Sequence, residues 1–344
     1  MKTADLAGPL LASVSRSFYL TIRILPASLR APIGLAYLLA RASDTIADSA
    51  DASAALRRKH LGAFAEMIRA GNLAGIVDLQ REIRPAADGE RELIEKLERC
   101  LGWLAEMTGE DRSAIAAVME KIIRGQTLDL ERFATPDGIV ALRSAAELDE
   151  YTYLVAGSVG EFWTRICLRH LPHYSTLDAP ELERLGVNFG KGLQLVNILR
   201  DAPADLRDGR CYLPEDELRD AGIAPHRLPS DPAAARPVFA RWTAQARAYL
   251  ADGARYLEAL RPARLRVGCF LPWYLGIETL RRLETRPPLE QAERIKGPRS
   301  TVYRAMGLAA AVAFSNAALR SCAPRTPAAG SGVIHSTMTS GKVR

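Results

Sequence analysis

Apolar residues recur at spacings of three and four through nearly the whole chain, and this one periodicity restricts it to helices. The segments 29–48, 52–70, 88–106, 111–125, 145–170, 178–200, 233–260, 263–284 and 301–320 carry it, with Ala, Leu, Arg and Glu abundant. No alternating run bounded by a hairpin turn is present, so strands are not expected. Turn clusters punctuate the helices at Arg84-Pro85, Thr135-Pro136-Asp137-Gly138 and Pro229-Ser230-Asp231-Pro232. None is long or biased enough to be an interdomain linker. No repeat with a period of roughly 20–50 residues is visible, which argues against a solenoid. The pattern predicts one all-α domain over residues 5–320. A flexible tail is expected over 321–344, where Pro, Gly, Ser and Thr accumulate.

A chain of 344 residues, 48% hydrophobic and 25% charged, can bury a core without a disulfide or metal staple. Its net charge of +6, from 46 basic and 40 acidic residues, is too mild to argue for nucleic acid. Cys100, Cys167, Cys211, Cys269 and Cys322 are far apart and form no CxxC. They form neither a zinc framework nor a redox pair, and suit a reducing cytosol. The start, MKTADLAGPLLASVSRS, has one lysine and no long apolar block. No secretory signal is expected, and a cytoplasmic location is. No run of about 18 uncharged apolar residues is present, so no membrane span is drawn. Residues 306–319, MGLAAAVAFSNAAL, are too few to span a bilayer. Burial as a last helix is favoured over an interfacial position.

The residues that carry chemistry are aspartates. Asp44 and Asp48 lie in RASDTIADSAD, and Asp201 and Asp205 in NILRDAPADLRDGR. Four residues apart on a helix, two carboxylates share a face and repel. If they point into a cavity something must compensate, and a divalent oxygen-loving cation is the natural candidate. Magnesium binds through one or two carboxylates and completes its shell with water and phosphate oxygens. The spacing alone is weak, since a chain of this length yields about one DxxxD by chance. A third example, Asp216–Asp220, reads as acidic residues opening a helix after Pro214.

Neighbours separate the other two from it. Tyr37, Arg41, Asp44 and Asp48 step by four, three and four; Gln194, Asn197, Asp201 and Asp205 step by three, four and four. Each is a polar stripe on an otherwise apolar helix, where Asn and Gln are costly unless hydrogen-bonded. Facing each other across a bundle, the stripes would supply ligands for metal and phosphate. The alternative is two unrelated salt-bridged surface stripes. Pro203 predicts that the second helix ends near Asp201, with Asp205 on a following turn. Arg16 lies between Ser15 and Ser17, Arg41 precedes the first pair, Arg200 abuts the second, and Arg210 follows it. Arginine forks suit phosphate oxygens.

SRSFYLTIRILP, AYLLARASDTIAD, YTYLVAGSVGEFW and QLVNILRDAPADLRDGRCYLP resemble, in order and spacing, the squalene and phytoene synthase family. The resemblance covers residues 10–220 and continues more weakly to about 305. Within the family the chain looks most like a bacterial squalene synthase. The resemblance implies a class I isoprenoid synthase helical bundle around a central cavity. It implies magnesium on Asp44, Asp48, Asp201 and Asp205, and two molecules of farnesyl diphosphate. One diphosphate departs, the double bond of the second molecule attacks head to head, and proton loss closes the cyclopropane of presqualene diphosphate. Reduction with NADPH would then give squalene. Tyr151 matches the family's tyrosine near the reacting carbons. Ser15, Arg16 and Ser17 match the diphosphate-binding turn, with Phe18 behind it; the alternative for this turn is a helix N-cap. Tyr37 and Arg41 match the first site, and Gln194, Asn197, Arg200 and Arg210 the second. Val155, Ala156 and Gly157 would make room for a prenyl chain, or serve close helix packing.

Ala47 and Ala204 stand where many relatives carry a second acid. No Rossmann glycine fingerprint appears, so a reductive step rests on family analogy alone. CFLPWYLGIETL (269–280) resembles a squalene synthase segment, and IKGPRS (295–300) the basic stretch near the nicotinamide cofactor, with Lys296 and Arg299 as phosphate contacts. Phe18, Phe270 and Trp273 are candidates to face a carbocation, or plain core. Competing functions are a phytoene or dehydrosqualene synthase, a presqualene diphosphate synthase, and a helical scaffold for isoprenoid enzymes. Products this greasy imply peripheral membrane contact, expected through 301–320.

Overall fold

Long helices in this chain open where the sequence supplies a side chain for the unpaired backbone N–H groups. In the computed structural model, which describes residues 3–15, 17–134, 138–286, 288–290 and 299–323, Ser53 accepts from the Leu56 N–H at 3.2 Å to start Ala54–Ala70. Thr108 does the same for Gly109–Arg132, and Asp178 for Ala179–Arg207. In chain order the elements that position the site are α1 (Ser17–Ile24), α2 (Ala27–Ala47), α3 (Ala54–Ala70), α4 (Gly109–Arg132), β1 (Val140–Leu142), α5 (Ala145–Thr152), α6 (Ser158–His170), α7 (Ala179–Arg207), β2 (Arg210–Pro214), α8 (Arg236–Ala259), α9 (Ala263–Thr285), α10 (Arg299–Phe314) and α11 (Asn316–Cys322). A π-helical turn, Tyr153–Gly157, joins α5 to α6.

The fold is all-α, as the periodicity predicts, with α7 at its centre. It packs along α8 and α6 and touches α9, while α4 bridges α2 and α3 to α6. The closest crossing is between α6 and α7. A β-carbon built on Gly160 would sit 1.9 Å from the Gly186 carbonyl oxygen, so no larger residue fits. One connected hydrophobic core runs from Leu6 to Cys322. All five cysteines are buried and unpaired.

The expected helices 145–170 and 301–320 are interrupted, by the π turn and at Ser315, and four further features depart from the sequence reading. The expected helix 88–106 is divided at Lys96 into Asp88–Glu95 and Leu97–Glu106. Short helices also form at Ser17–Ile24 and Ile76–Glu82, too brief for periodicity to reveal. Strands do exist. β1 and β2 pair in parallel, Val140 opposite Arg210 and Ala141 opposite Cys211. Gly209, at φ 77°, makes the turn from α7 into β2, and its carbonyl accepts from the Val140 N–H at 2.9 Å. Finally, α7 does not end at Asp201. It runs through Pro203 to Arg207. The proline forfeits a bond to the Leu199 carbonyl, and packing against α8 and β2 holds the last turn. Asp201 and Asp205 are therefore one helical turn apart after all.

Asp216 and Glu217 do open a short helix, Glu215–Asp220, directly after Pro214, as read from the sequence.

Candidate active site

The first aspartate pair lies at the C-terminal end of α2. Asp44 is in its last turn, and Asp48 caps it by donating its backbone N–H to the Asp44 carbonyl at 2.8 Å. Asp44 keeps 47% of its side-chain surface open, yet protein surrounds it closely enough to strip much of its hydration. A group both accessible and desolvated sits in a concave wall. Its pKa is pushed up to about 6, first by that desolvation and then by the charge of Asp48. Arg41 at 3.9 Å and a 2.7 Å hydrogen bond from Gln126 Nε2 oppose the shift. Arg41 itself is anchored by Glu90.

The second pair lies at the C-terminal end of α7. Arg200 grips the neighbouring Asp201 carboxylate with two nitrogens, at 2.9 and 2.6 Å. Asp205 accepts from Arg210 at 3.2 Å, and its pKa is also raised to about 6, chiefly by desolvation. Arg210 lowers it again; Asp201 and Asp129 add to the rise. The two walls meet at Arg210, whose charge is the first to oppose the burial-driven rise in the Asp48 pKa.

Two residues on α4 join the walls, and sequence reasoning missed both. Gln126 and Asp129 are three apart and so share a face. Gln126 reaches the first wall. Asp129 reaches the second, accepting a 2.6 Å hydrogen bond from the Tyr212 hydroxyl with Arg210 at 4.0 Å. Tyr212, also missed, owes its position to β2. Along a strand, alternate side chains share a face, so Arg210 and Tyr212 both turn to Asp129. Desolvation raises the Asp129 pKa above the usual carboxylate range.

Tyr151 on α5 stacks on Tyr212, ring centroids 5.1 Å apart. Burial, then Asp129, hold its hydroxyl far above the ordinary tyrosine range. The structure thus brings Tyr151, Arg41, Arg210 and both aspartate pairs to one region. Tyr37 and Phe18 stack at 4.8 Å, tying α1 to α2, and the Tyr37 hydroxyl donates at 3.4 Å to the carbonyl of Val14 in the short helix Leu11–Ser15 that precedes α1. Ser15 is buried and donates to the Leu11 carbonyl of its own helix, so it is not an N-cap. Gln194 is half-buried and Asn197 exposed on α7.

Val155, Ala156 and Gly157 form the π turn. A β-carbon on Gly190 of α7 would lie 2.2 Å from the Ala156 carbonyl oxygen, and one on Gly157 would meet Lys191 at 3.0 Å. Close packing on α7 therefore uses both small residues. Phe270 and Trp273 are fully buried, and the Trp273 indole donates to the Leu250 carbonyl at 2.8 Å. Both are core. Arg16, Lys296 and the side chains of Ser17 and Arg299 lie outside the described residues.

Among the described residues no three carboxylate, His or Cys groups converge to cage a metal ion. The donor set instead fits an ion that takes one or two carboxylates and fills its shell from water and phosphate. Two raised carboxylates one turn from a second acid are charges awaiting compensation. Arg41 Nε, Arg210 Nε and Gln126 Oε1, on residues that pair with these carboxylates or their neighbours, are buried without a partner.

Known proteins share the sequence pattern and the fold. Residues 11–301 match the Squalene/phytoene synthase family. The chain is 30% identical over 225 residues to the presqualene diphosphate synthase of Zymomonas mobilis, 64% of each protein. It is 33% identical over 168 residues to the phytoene synthase of Thermus thermophilus, 48% of this chain and 55% of that protein. It is 26% identical over 280 residues to the squalene synthase of Eremothecium gossypii, 79% of this chain and 60% of that protein. In each case the match spans less than two-thirds of the relative's own length. The complex of TcSQS with the ligand E5700 superposes with a TM-score of 0.75 at 19% identity, covering 93% of this chain and 90% of the other. The squalene synthase of Alicyclobacillus acidocaldarius superposes with a TM-score of 0.58 at 19% identity, covering 82% and 92%. These likenesses establish the fold, and the sequence match together with it establishes that the chain belongs to the squalene/phytoene synthase family.

Proposed function

We propose that the chain is a transferase that condenses two molecules of farnesyl diphosphate head to head to presqualene diphosphate. The observation that carries this is the meeting of two aspartate pairs from separate helices at Arg210. A diphosphate is a poor leaving group until its charge is neutralised. Arg41, Arg200 and Arg210 are set beside the carboxylates to do that, and their forks match phosphate oxygens. Magnesium, held through Asp44 and Asp48 on one side and Asp201 and Asp205 on the other, supplies Lewis-acid stabilisation of the departing diphosphate when bound. Arg16 and Ser17 contact the diphosphate in this reading, Ser15 bracing the turn from within through its bond to the Leu11 carbonyl, with Gln194 and Asn197 extending the second site. Apolar helix faces around Val155 and Ala156 keep water from the allylic cation.

The fuller reading continues with NADPH-dependent reduction to squalene. Its support is the resemblance of 269–280 and 295–300, with Lys296 and Arg299 binding the cofactor. A second reading stops at presqualene diphosphate, and the 30% identity to the Zymomonas mobilis enzyme favours it. Purified protein with farnesyl diphosphate and magnesium, with and without NADPH, separates them. Squalene formed only with NADPH supports the fuller reading. Presqualene diphosphate regardless of NADPH supports the second, and a polyene points to a dehydrosqualene or phytoene synthase. No condensation product at all would overturn the proposal and leave a scaffold role.

No helix among the described residues is long and apolar enough to cross a membrane. α10 buries Ala305, Ala309 and Val312 but leaves Tyr303 70%, Met306 53% and Phe314 85% exposed. That half-buried, half-open helix supports peripheral contact with the cytoplasmic membrane face.

A further inference from the structure

A carboxylate has two oxygens, and how many of them it offers decides which divalent cation it suits. Calcium takes a carboxylate through one oxygen or both, in a large and flexible shell. Magnesium demands a tight octahedron, and a carboxylate chelating through both oxygens subtends too narrow an angle for it. Asp44 is not free to offer both. Gln126 Nε2 on α4 lies 2.7 Å from Asp44 Oδ1 and 3.2 Å from Ser43 Oγ. A carboxylate only accepts, and the Ser43 hydroxyl has already given its proton to the Ala40 carbonyl at 2.8 Å. Both neighbours therefore require the amide nitrogen, and its two hydrogens are used once each. Turning the amide over would set its oxygen against two acceptors. Gln126 Oε1 stays buried without a partner instead, a penalty accepted so that Nε2 can hold Asp44.

The other oxygen is held differently. Asp44 Oδ2 has Arg41 Nη1 at 3.9 Å, beyond hydrogen-bond distance. Ser43 is fully buried, so it anchors the amide, whereas the Asp44 side chain keeps 47% of its surface open. We infer that Gln126 is a positioning residue that shifts cation choice toward magnesium, by tying up Asp44 Oδ1 and leaving Oδ2 alone for the ion. This selection rests on Asp44 binding the ion, as proposed above. A calcium ion taking both oxygens has to break the bond from Gln126 and strand a hydrogen of Nε2 between α2 and α4. A magnesium ion taking Oδ2 leaves that bond intact.

The test compares magnesium with calcium on the full chain, each added alone as its chloride at matched ionic strength. Apparent affinities come from the rise in melting temperature with cation concentration. Gln126→Met keeps the length and bulk of the side chain and removes the donor. It is expected to weaken magnesium about 10-fold, the usual consequence of losing a group that orients a metal ligand, while calcium binding holds or strengthens. The ratio of magnesium to calcium affinity should therefore fall at least about 5-fold. Ser43→Ala leaves the bond to Asp44 but loosens the amide, and should move the ratio the same way by a smaller factor. A purely structural Gln126 would change the melting temperature without cation and leave the ratio alone. An unchanged ratio in Gln126→Met overturns the inference; if that variant does not fold, an unchanged ratio in Ser43→Ala does so. Wild type stabilised by neither cation, with or without inorganic diphosphate, would instead sink the parent reading of Asp44 as a metal ligand, so the two failures are distinct.

Discussion

Arg210 donates to Asp205 at 3.2 Å from the first residue of a strand, while Asp205 occupies the last full turn of the preceding helix. The same guanidinium lies 4.0 Å from Asp129 and its charge reaches Asp48 on α2. One cation thus offsets carboxylates from three helices. Removing it leaves them to repel each other and, in the proposed reaction, deprives the departing diphosphate of a fork. Arg210→Ala is expected to lower kcat/KM by roughly 10²- to 10³-fold, comparable to loss of one strong electrostatic donor. Arg210→Lys keeps the charge but loses the paired geometry and should recover only part of it. Steady-state kinetics at matched magnesium decides. Equal rates in wild type and Arg210→Ala would remove Arg210 from the site.

Asp48 and Asp201 offer the plainest test of the two walls, because each lies on the surface of a different helix end. Asp48→Asn and Asp201→Asn alter one charge each and almost no volume. Both are expected to abolish turnover, by at least about 10²-fold, with circular dichroism and melting temperature near those of wild type. Raising magnesium should restore some activity to either variant if the lost carboxylate serves the ion. Full activity in both would show that the aspartates are ordinary surface residues.

Much of this was legible in the sequence, for a physical reason. Burial forces apolar residues onto one face of each helix, so the long helices declare themselves by period, and α2, α8 and α9 fall close to the spans expected, while α4 runs past its expected end at 125 to Arg132. The aspartate pairs stood out because polar stripes in apolar helices are costly. Gln126 and Asp129 did not, because the expected helix stopped at 125 and so put neither on a helix face; the helix in fact runs on to Arg132, beside α2 and β2. Tyr212 was hidden by the brevity of β2, whose five residues end in proline. Pro203 gave a false signal: a rule about isolated helices yielded to packing around the end of α7.

The raised carboxylates make the metal-free protein sensitive to pH in a definite direction. Between the ordinary aspartate pKa and about 6, folded Asp44 and Asp205 hold protons that the unfolded chain releases. The stability they contribute is therefore present at low pH and falls as pH rises through about 6. Asp44→Asn retains the oxygen that accepts from Gln126 while deleting the charge. It is expected to raise the melting temperature at pH 7.5 on the order of 2 °C, with the gain shrinking as pH falls and vanishing below about pH 4. Magnesium with inorganic diphosphate should erase the difference by stabilising wild type. A variant less stable than wild type at pH 7.5 without metal would show that Asp44 is satisfied by Arg41 and Gln126 alone.

The open face of α10 yields the last test. Tyr303, Met306 and Phe314 are exposed, whereas Ala305, Ala309 and Val312 on the same helix are buried. Leaving large apolar side chains in water forgoes roughly 1.5–3 kcal/mol each, a cost that a lipid interface would recover. Full-length protein is expected to float with vesicles of phosphatidylcholine and phosphatidylglycerol on a density gradient. Phe314→Glu should cut the floated fraction several-fold, and adding Tyr303→Glu should abolish it. Because neither side chain supports the core, turnover of substrate presented in detergent should persist in both variants. Wild type remaining at the bottom of the gradient would leave α10 facing water, and equal flotation of all three proteins would move the contact elsewhere on the molecule.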